Sequence, residues 1–437
     1  MTTAKSEGLR LEAREAKDSR GRPTVEVTAT IGGVTTMGDV PAGASKGEDE
    51  AQTVPVPEAI KNVHDVILPM FKKANLDVAT YEGLRSLENM MIARAGDNFK
   101  DLGANATLPV SRALWRAAAK LNGMELWQYI QKHEAKLAAK DTVHFYMNIF
   151  NGGLHALKKA DGEVLGKDRI DVQEIMVVPV SAKTYAEQLA VGEKIDAALK
   201  ELLLAKWDAK AVTRADEAGF SVKGLGDSTE AIGLVWQAVE KAGYVPGRDV
   251  KMALDVAASS FYDSAAKRYK FRGEALTSEQ MIKYLVDFVD RYSGKVLSIE
   301  DGLDENDWAA WATLTGEMRK RNVLTIGDDL FVTQKIRLDK GIVSRAASAI
   351  LIKVNQNGTV GGTLDVMKQA KEADMRCVVS HRSGETLDDS IADLAYATGS
   401  LGLKTGDPQP VGDFPDPKTW VRRAKYLRML AIEKSLS

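Results

Sequence analysis

Hydrophobic and polar positions divide the chain into two differently patterned parts. Residues 7–40 alternate with a period of two in LEAREAKDS, TVEVTATI and VTTMGDV, separated by SRGRP and by Gly32-Gly33. Alternation broken by turn residues predicts a small antiparallel meander. From about residue 57 to 138 apolar positions recur every three to four residues, as in EAIKNVHDVILPMFKKA and SRALWRAAAKLNGMELWQYIQKH, which predicts helices. Strands first and helices after is the order of an α+β unit, here residues 1–140.

From 141 to 437 the pattern changes to strand and helix in alternation. FYMNIFNGG and DVQEIMVVPV read as strands. LGDSTEAIGLVWQAVEKAGY reads as a helix, with Asp227 and Glu230 as its capping box and Gly243 as its stop. LTSEQMIKYLVDFVDRYSG is a second, with Thr277 and Gln280 as the box. The segment 407–417 has four prolines in eleven residues and must be a loop; KTWVRRAKYLRMLAIEKSL closes the chain as a helix.

Six short apolar runs in this second part each end in a residue capable of chemistry. They lead to Asp255, Glu300, Asp328, Lys353, His381 and Lys404, spaced 45, 28, 25, 28 and 23 residues apart. One strand, one helix and two loops take roughly 25–30 residues, the repeat of a (β/α)8 barrel, whose strand C-termini converge on one face. The spacing therefore predicts three carboxylates, two lysines and a histidine around one cavity. An all-oxygen set of acids favours Mg2+ over zinc or copper. Asp329 follows Asp328 directly; neighbours on an extended strand point to opposite faces, so one of the two should enter the cavity. A Lys353 held beside Lys404 and a metal should have its pKa pushed down towards that of a working base. Arg382-Ser383-Gly384, after His381, has the make-up of an anion clamp.

Composition adds limits. Of 437 residues 44% are hydrophobic and 27% charged, the balance of a globular protein. A formal net charge of −2 gives no reason to expect nucleic acid or an anionic membrane as partner. The only cysteine, Cys377, lies in a strand-like run, so no intrachain disulfide forms and a reducing compartment is expected. Neither a signal-peptide core nor an apolar stretch approaching the about 18–20 residues of a membrane span is evident, and the expectation is a soluble cytoplasmic protein.

At these residues the chain resembles the enolases. The similarity runs from about residue 10 to the closing helix through DSRG-PTVEV, GAS-G, LGANA, NGG-HA, QE, DE-GF, ALDVAAS, SIED, GDDLFVT, ILIKVNQ-GT, VVSHRSGET and KTG, in the family's order. The resemblance implies an N-terminal α+β cap, a modified (β/α)8 TIM-like barrel, two Mg2+ ions and reversible dehydration of 2-phosphoglycerate to phosphoenolpyruvate. It implies Asp255, Glu300 and Asp328 as ligands of the first metal, and Ser45 as the residue joining the second when its loop closes. Lys353 matches the general base, Glu217 the general acid with Glu174 beside it, and Lys404 a substrate-carboxylate ligand. His155 and His381 match active-site histidines, Gln173 and Glu174 of the QE motif, with His155, match substrate-binding residues, and Arg382 and Ser383 match phosphate contacts. A homodimer is implied, with higher homo-oligomers open.

The chain also departs from the family pattern. Lys46 stands in the GAS loop for a threonine, and Leu154 in NGG-HA for a serine. A longer stretch, 157–170, follows. Ala215 and Ala218 replace two glycines around the acid, Ser260 a glutamate, and Gly302 the proline of SIEDP. The proline-rich 407–417 replaces a short arginine- and serine-rich stretch. Lys46, Lys158, Lys159, Lys167 and Arg169 are expected to add cationic groups near the mouth. In the closing helix Ala431 stands where an arginine pairs with the glutamate of PTVE, here Glu26, across the dimer interface. Two further readings follow: a paralogue dehydrating a bulkier or more anionic phospho- or phosphono-carboxylate, and a non-catalytic scaffold.

Overall fold

The computed structural model describes residues 4–43, 47–137, 142–156, 168–409 and 416–436. The expected boundary near 140 falls on residues outside this set. The N-terminal strands Arg10–Lys17, Pro23–Ile31 and Val34–Asp39 form the predicted antiparallel meander. The middle strand alternates as the sequence does, burying Val25, Val27, Ala29 and Ile31. Gly32 and Gly33, both at positive φ, make the two-residue turn that pairs Ile31 with Val34.

The helix Ala104–Leu121 lies on this sheet and is buried along most of its length. It begins earlier than the apolar period suggests, and the run predicted through 133 breaks at Asn122–Glu125 before a second helix, Leu126–His133. Close approach to the sheet depends on Gly38, where a Cβ would lie 2.9 Å from the Ala113 nitrogen and crowd the Pro109 carbonyl. The other side of the helix faces the barrel: Thr107 Oγ1 donates to the Gly358 carbonyl at 2.8 Å, and Ser111 Oγ accepts from Val360 N at 2.9 Å.

The second part is a closed barrel. Its strands in chain order are His144–Asn151, Glu174–Pro179, Val250–Asp255, Val296–Glu300, Leu324–Gly327, Ala349–Ile352, Arg376–Ser380 and Gly402–Lys404. The last pairs with the first and closes the ring. The second strand runs antiparallel to both neighbours, while the other pairs are parallel. The reversal places the start of that strand, Glu174, at the rim where the other strands end. The long interval between Asp255 and Glu300 holds a small three-stranded sheet, Tyr262–Asp263, Arg268–Phe271 and Glu274–Leu276, ahead of its helix.

Two helix starts test the capping signals. Thr277 and Gln280 form the reciprocal box before Ser278–Arg291. Asp227 caps Ser228–Lys241 through Thr229 N at 2.8 Å, but Glu230 does not reach back, because Lys206 of the preceding helix holds it. Among the described residues no helix is long and apolar enough to cross a membrane.

Candidate active site

Each of the six strand-end residues is the last of its strand or the next one along, and five of them line one cavity of about 220 Å³ at the barrel rim: Asp255, Asp328, Lys353, His381 and Lys404. Glu300, fully buried beneath them, contacts the cavity through Lys404. Asp328 and Asp329 both line the cavity, against the expectation of one. The strand ends at Gly327 and the chain turns, because both aspartate nitrogens donate to the Asp301 carboxylate at 2.8 Å.

The two lysines are held by acids. Lys404 Nζ lies 2.8 Å from Glu300 Oε1, 3.0 Å from Glu174 Oε2 and 3.2 Å from Asp255 Oδ2. Lys353 Nζ is hydrogen-bonded to Asp328 Oδ2. Burial pushes the Lys353 pKa down, but the carboxylates around it, Asp328 foremost, together more than offset this, so it stands above the ordinary lysine value. Gln173 Nε2 donates to Asp255 Oδ2 at 3.3 Å.

Across the barrel a second group forms around Glu217. This residue sits in the turn of a hairpin, Val212–Arg214 and Phe220–Val222, attached to the first barrel strand. Its Oε2 accepts from Asn148 Nδ2 at 2.9 Å and lies 3.3 Å from His381 Nε2. His155 Nδ1 lies 3.4 Å from Glu174 and 3.7 Å from Glu217. The His381 tautomer is fixed: Arg422 Nη1 donates to Nδ1 at 2.8 Å, so the neutral ring carries its proton on Nε2, towards Glu217. Burial pulls His381 down to about 4 and also lowers His155.

The two glutamates are driven apart. Burial and the charge of Glu217 hold the Glu174 carboxyl well above its ordinary range, despite Lys404. Burial would raise Glu217 as well, but the two histidines and Arg422 pull it well below. The carboxyl more inclined to hold a proton is thus Glu174, directly beside the Glu217 that sequence matching names as the acid.

The anion clamp is braced from the cap. Arg382 Nη1 donates to Glu50 Oε1 at 2.7 Å and to Asn355 Oδ1 at 3.0 Å. Ser383 Oγ accepts from Arg20 Nη1 at 3.2 Å, and Arg20 also holds the Ala42 and Gly43 carbonyls. Arg422, Asn148, Glu50 and Arg20 were not singled out from the sequence. Arg422 lies in a basic run, Lys418 to Arg428, that reads as a solvated helix face, yet it is fully buried and also donates to the Arg382 and Ser383 carbonyls.

Of the departures, Leu154 and Ser260 line the cavity, Leu154 being 40% exposed. Arg169 is buried, donates to the Asp168 carbonyl and does not line the cavity. Ser45, Lys46, Lys158, Lys159 and Lys167 lie outside the described residues. Glu26 has a partner in its own chain: Arg14 Nε donates to it at 2.7 Å. Cys377 is buried, its thiol pushed up to about 12 by desolvation.

The acids fit a hard divalent cation. Glu300 and Asp301 are held well above the carboxylate range by burial and by neighbouring acids. That surplus of buried oxygen charge is what a divalent cation neutralises. Ligand atoms of Asp301, Asp328 and Asp329 lie within 4.8 Å of one another, as do those of His155, Glu174 and Glu217.

Comparison with known families agrees with this architecture. Residues 9–130 match the family model described as the enolase N-terminal domain, and residues 143–437 the one described as the enolase C-terminal TIM barrel domain. The two matches span nearly the whole sequence, and the chain belongs to the enolase family.

Proposed function

We propose that the chain is a hydro-lyase catalysing the Mg2+-dependent, reversible dehydration of 2-phosphoglycerate to phosphoenolpyruvate. One observation supports this most: Lys353, just past the sixth barrel strand, and Glu174, opening the second, stand on opposite sides of the eight-stranded ring and line one cavity with Glu217 and Lys404. A base and an acid on opposite walls suit removal of a proton from one carbon and a hydroxyl from the next.

Asp255, Glu300 and Asp328 would hold one Mg2+ and Ser45 would join a second. When bound, the two ions supply positive charge that offsets the charge developing on the substrate carboxylate. Lys404 adds its ammonium to the same carboxylate. Lys353 Nζ takes the C2 proton as the neutral amine, having first released its ammonium proton to solvent once Asp328 no longer stabilises that charge. Hydroxide leaves poorly, so the Glu174–Glu217 pair delivers a proton to the C3 oxygen, which departs as water. Arg382 and Ser383 bind the phosphate, with Glu50 and Arg20 fixing their orientation. His155 and His381, within 3.3–3.7 Å of the two glutamates, hold the acid pair in place.

The test is steady-state turnover of 2-phosphoglycerate with Mg2+, followed by the absorbance of the enol product. Turnover abolished by Lys353→Ala supports the assignment. Mg2+ binding without turnover overturns it in favour of a related phospho- or phosphono-carboxylate, for which Leu154 and Ser260 line a reshaped cavity.

The chain is also proposed to form a homodimer. Leu387, Trp420 and Leu427 are exposed together around Ala431, and the Arg14 contact leaves no unpaired Glu26 to oppose assembly. A monomer in sedimentation at micromolar concentration contradicts this.

A further inference from the structure

The hairpin turn that presents Glu217 contains a strained residue. Ala218 sits at φ +67, a left-handed conformation in which its Cβ is unfavourable. Its own carbonyl is held by Arg214, whose Nη1 donates at 2.9 Å. The same guanidinium forks onto Asp196, with contacts of 2.7 and 2.8 Å, and reaches Asp407 Oδ2 at 3.0 Å. It stacks on Phe220 at 3.5 Å.

Asp407 closes the circuit. Its backbone nitrogen donates to the Glu217 carbonyl at 3.0 Å, and a Cβ on the preceding Gly406 would lie 2.8 Å from that same oxygen. The carbonyls of Glu217 and Ala218 are thus both tied, directly or through Arg214, to Asp407. Asp196 and Asp407 are buried, and burial with the charge of Asp196 keeps the Asp407 carboxyl well above its ordinary range. One half-buried cation thus bridges two buried acids.

We propose that Arg214, braced by Asp196 and Asp407, is a positioning residue: it holds Ala218 in its left-handed conformation and thereby aims the Glu217 carboxylate at the Glu174–His155 side of the cavity. None of the three touches substrate. The inference rests on the dehydratase reading, since it is that reading which gives Glu217 a proton to deliver. It also accounts for two departures together. Alanine replaces glycine in the turn, and an aspartate opens the proline-rich segment, because a guanidinium between them does what a glycine does elsewhere.

The test is a set of variants assayed for kcat and KM on 2-phosphoglycerate with Mg2+. Arg214→Ala is expected to lower kcat by up to about 100-fold, the scale of a misplaced catalytic group, with KM changed little. Adding Ala218→Gly, which removes the Cβ that resists this conformation, is expected to restore much of the lost kcat. Arg214→Lys keeps the charge but not the fork; it is expected to fold, shown by an unchanged melting temperature, and to lose kcat to an intermediate extent. If Arg214→Ala fails to fold, Arg214→Lys with and without Ala218→Gly decides by the same criteria. Unchanged kcat in folded variants, or no rescue by Ala218→Gly, overturns the inference alone. Absence of turnover in the unsubstituted protein overturns the dehydratase reading and the inference with it.

Discussion

Glu174 and Asp255 are direct partners across two antiparallel strands, and Lys404 Nζ lies 3.0 and 3.2 Å from their carboxylates. A reversed strand is what makes this possible, since it begins at the rim where its neighbour ends. Both acids and Glu300 depend on one ammonium. Lys404→Met is therefore expected to destabilise the fold by about 3–5 kcal/mol at neutral pH, the cost of leaving buried acids unpaired. Urea unfolding at pH 7.5 and pH 5 measures it. The loss should shrink at the lower pH, where Glu174 and Glu300 more readily carry protons of their own.

Cation binding should release protons. Glu300, one of the proposed ligands, has its pKa raised by burial and by neighbouring acids, so any protonated carboxyl there must ionise to ligate Mg2+. Calorimetric titration in buffers of differing ionisation enthalpy should show net release, and affinity should fall as pH is lowered.

His381 gives stability a pH dependence of known sign. Burial lowers its folded value from 6.5 to about 4. Between those values the unfolded chain binds more protons than the folded one, so stability rises with pH through this window and is lost as pH falls through it. The loss amounts to roughly 3 kcal/mol on complete titration. Unfolding of His381→Gln compared with the unsubstituted protein from pH 8 to 4 should show the difference narrowing as pH falls.

Gly38 sets the distance between the cap sheet and its helix. Gly38→Ala places a methyl against the Pro109 carbonyl and Ala113 nitrogen, backbone atoms that cannot swing aside. Overpacking of this kind costs about 1–3 kcal/mol. A urea midpoint within error of the unsubstituted protein would show that the helix shifts freely.

Much of this was legible in the sequence, for stated reasons. Barrel pitch alone brings Asp255, Glu300, Asp328, Lys353, His381 and Lys404 to one rim, because parallel strands deliver their ends to the same face. Glu174 and Glu217 escape that logic. One begins a reversed strand and the other occupies a hairpin turn, so only resemblance pointed to them. Alternation admits one of Asp328 and Asp329 to the cavity, but both line it because the strand ends at Gly327, before either. Arg422 and Glu50 were missed because nothing local marks a charged helix residue or a turn glutamate as buried; only tertiary packing places them. The opposite shifts of Glu174 and Glu217 arise from burial and from charges brought together from separate elements, which no spacing encodes.

The most direct test separates the two halves of the proposed reaction. Exchange of the C2 proton of 2-phosphoglycerate with deuterated solvent, followed by NMR alongside dehydration, reads Lys353 and the glutamate pair independently. Glu217→Gln is expected to keep exchange while dehydration falls by about 100-fold or more, and Lys353→Ala to lose both. Exchange persisting in Lys353→Ala would contradict the account, because the proton would then leave to a group other than the lysine facing the acid pair.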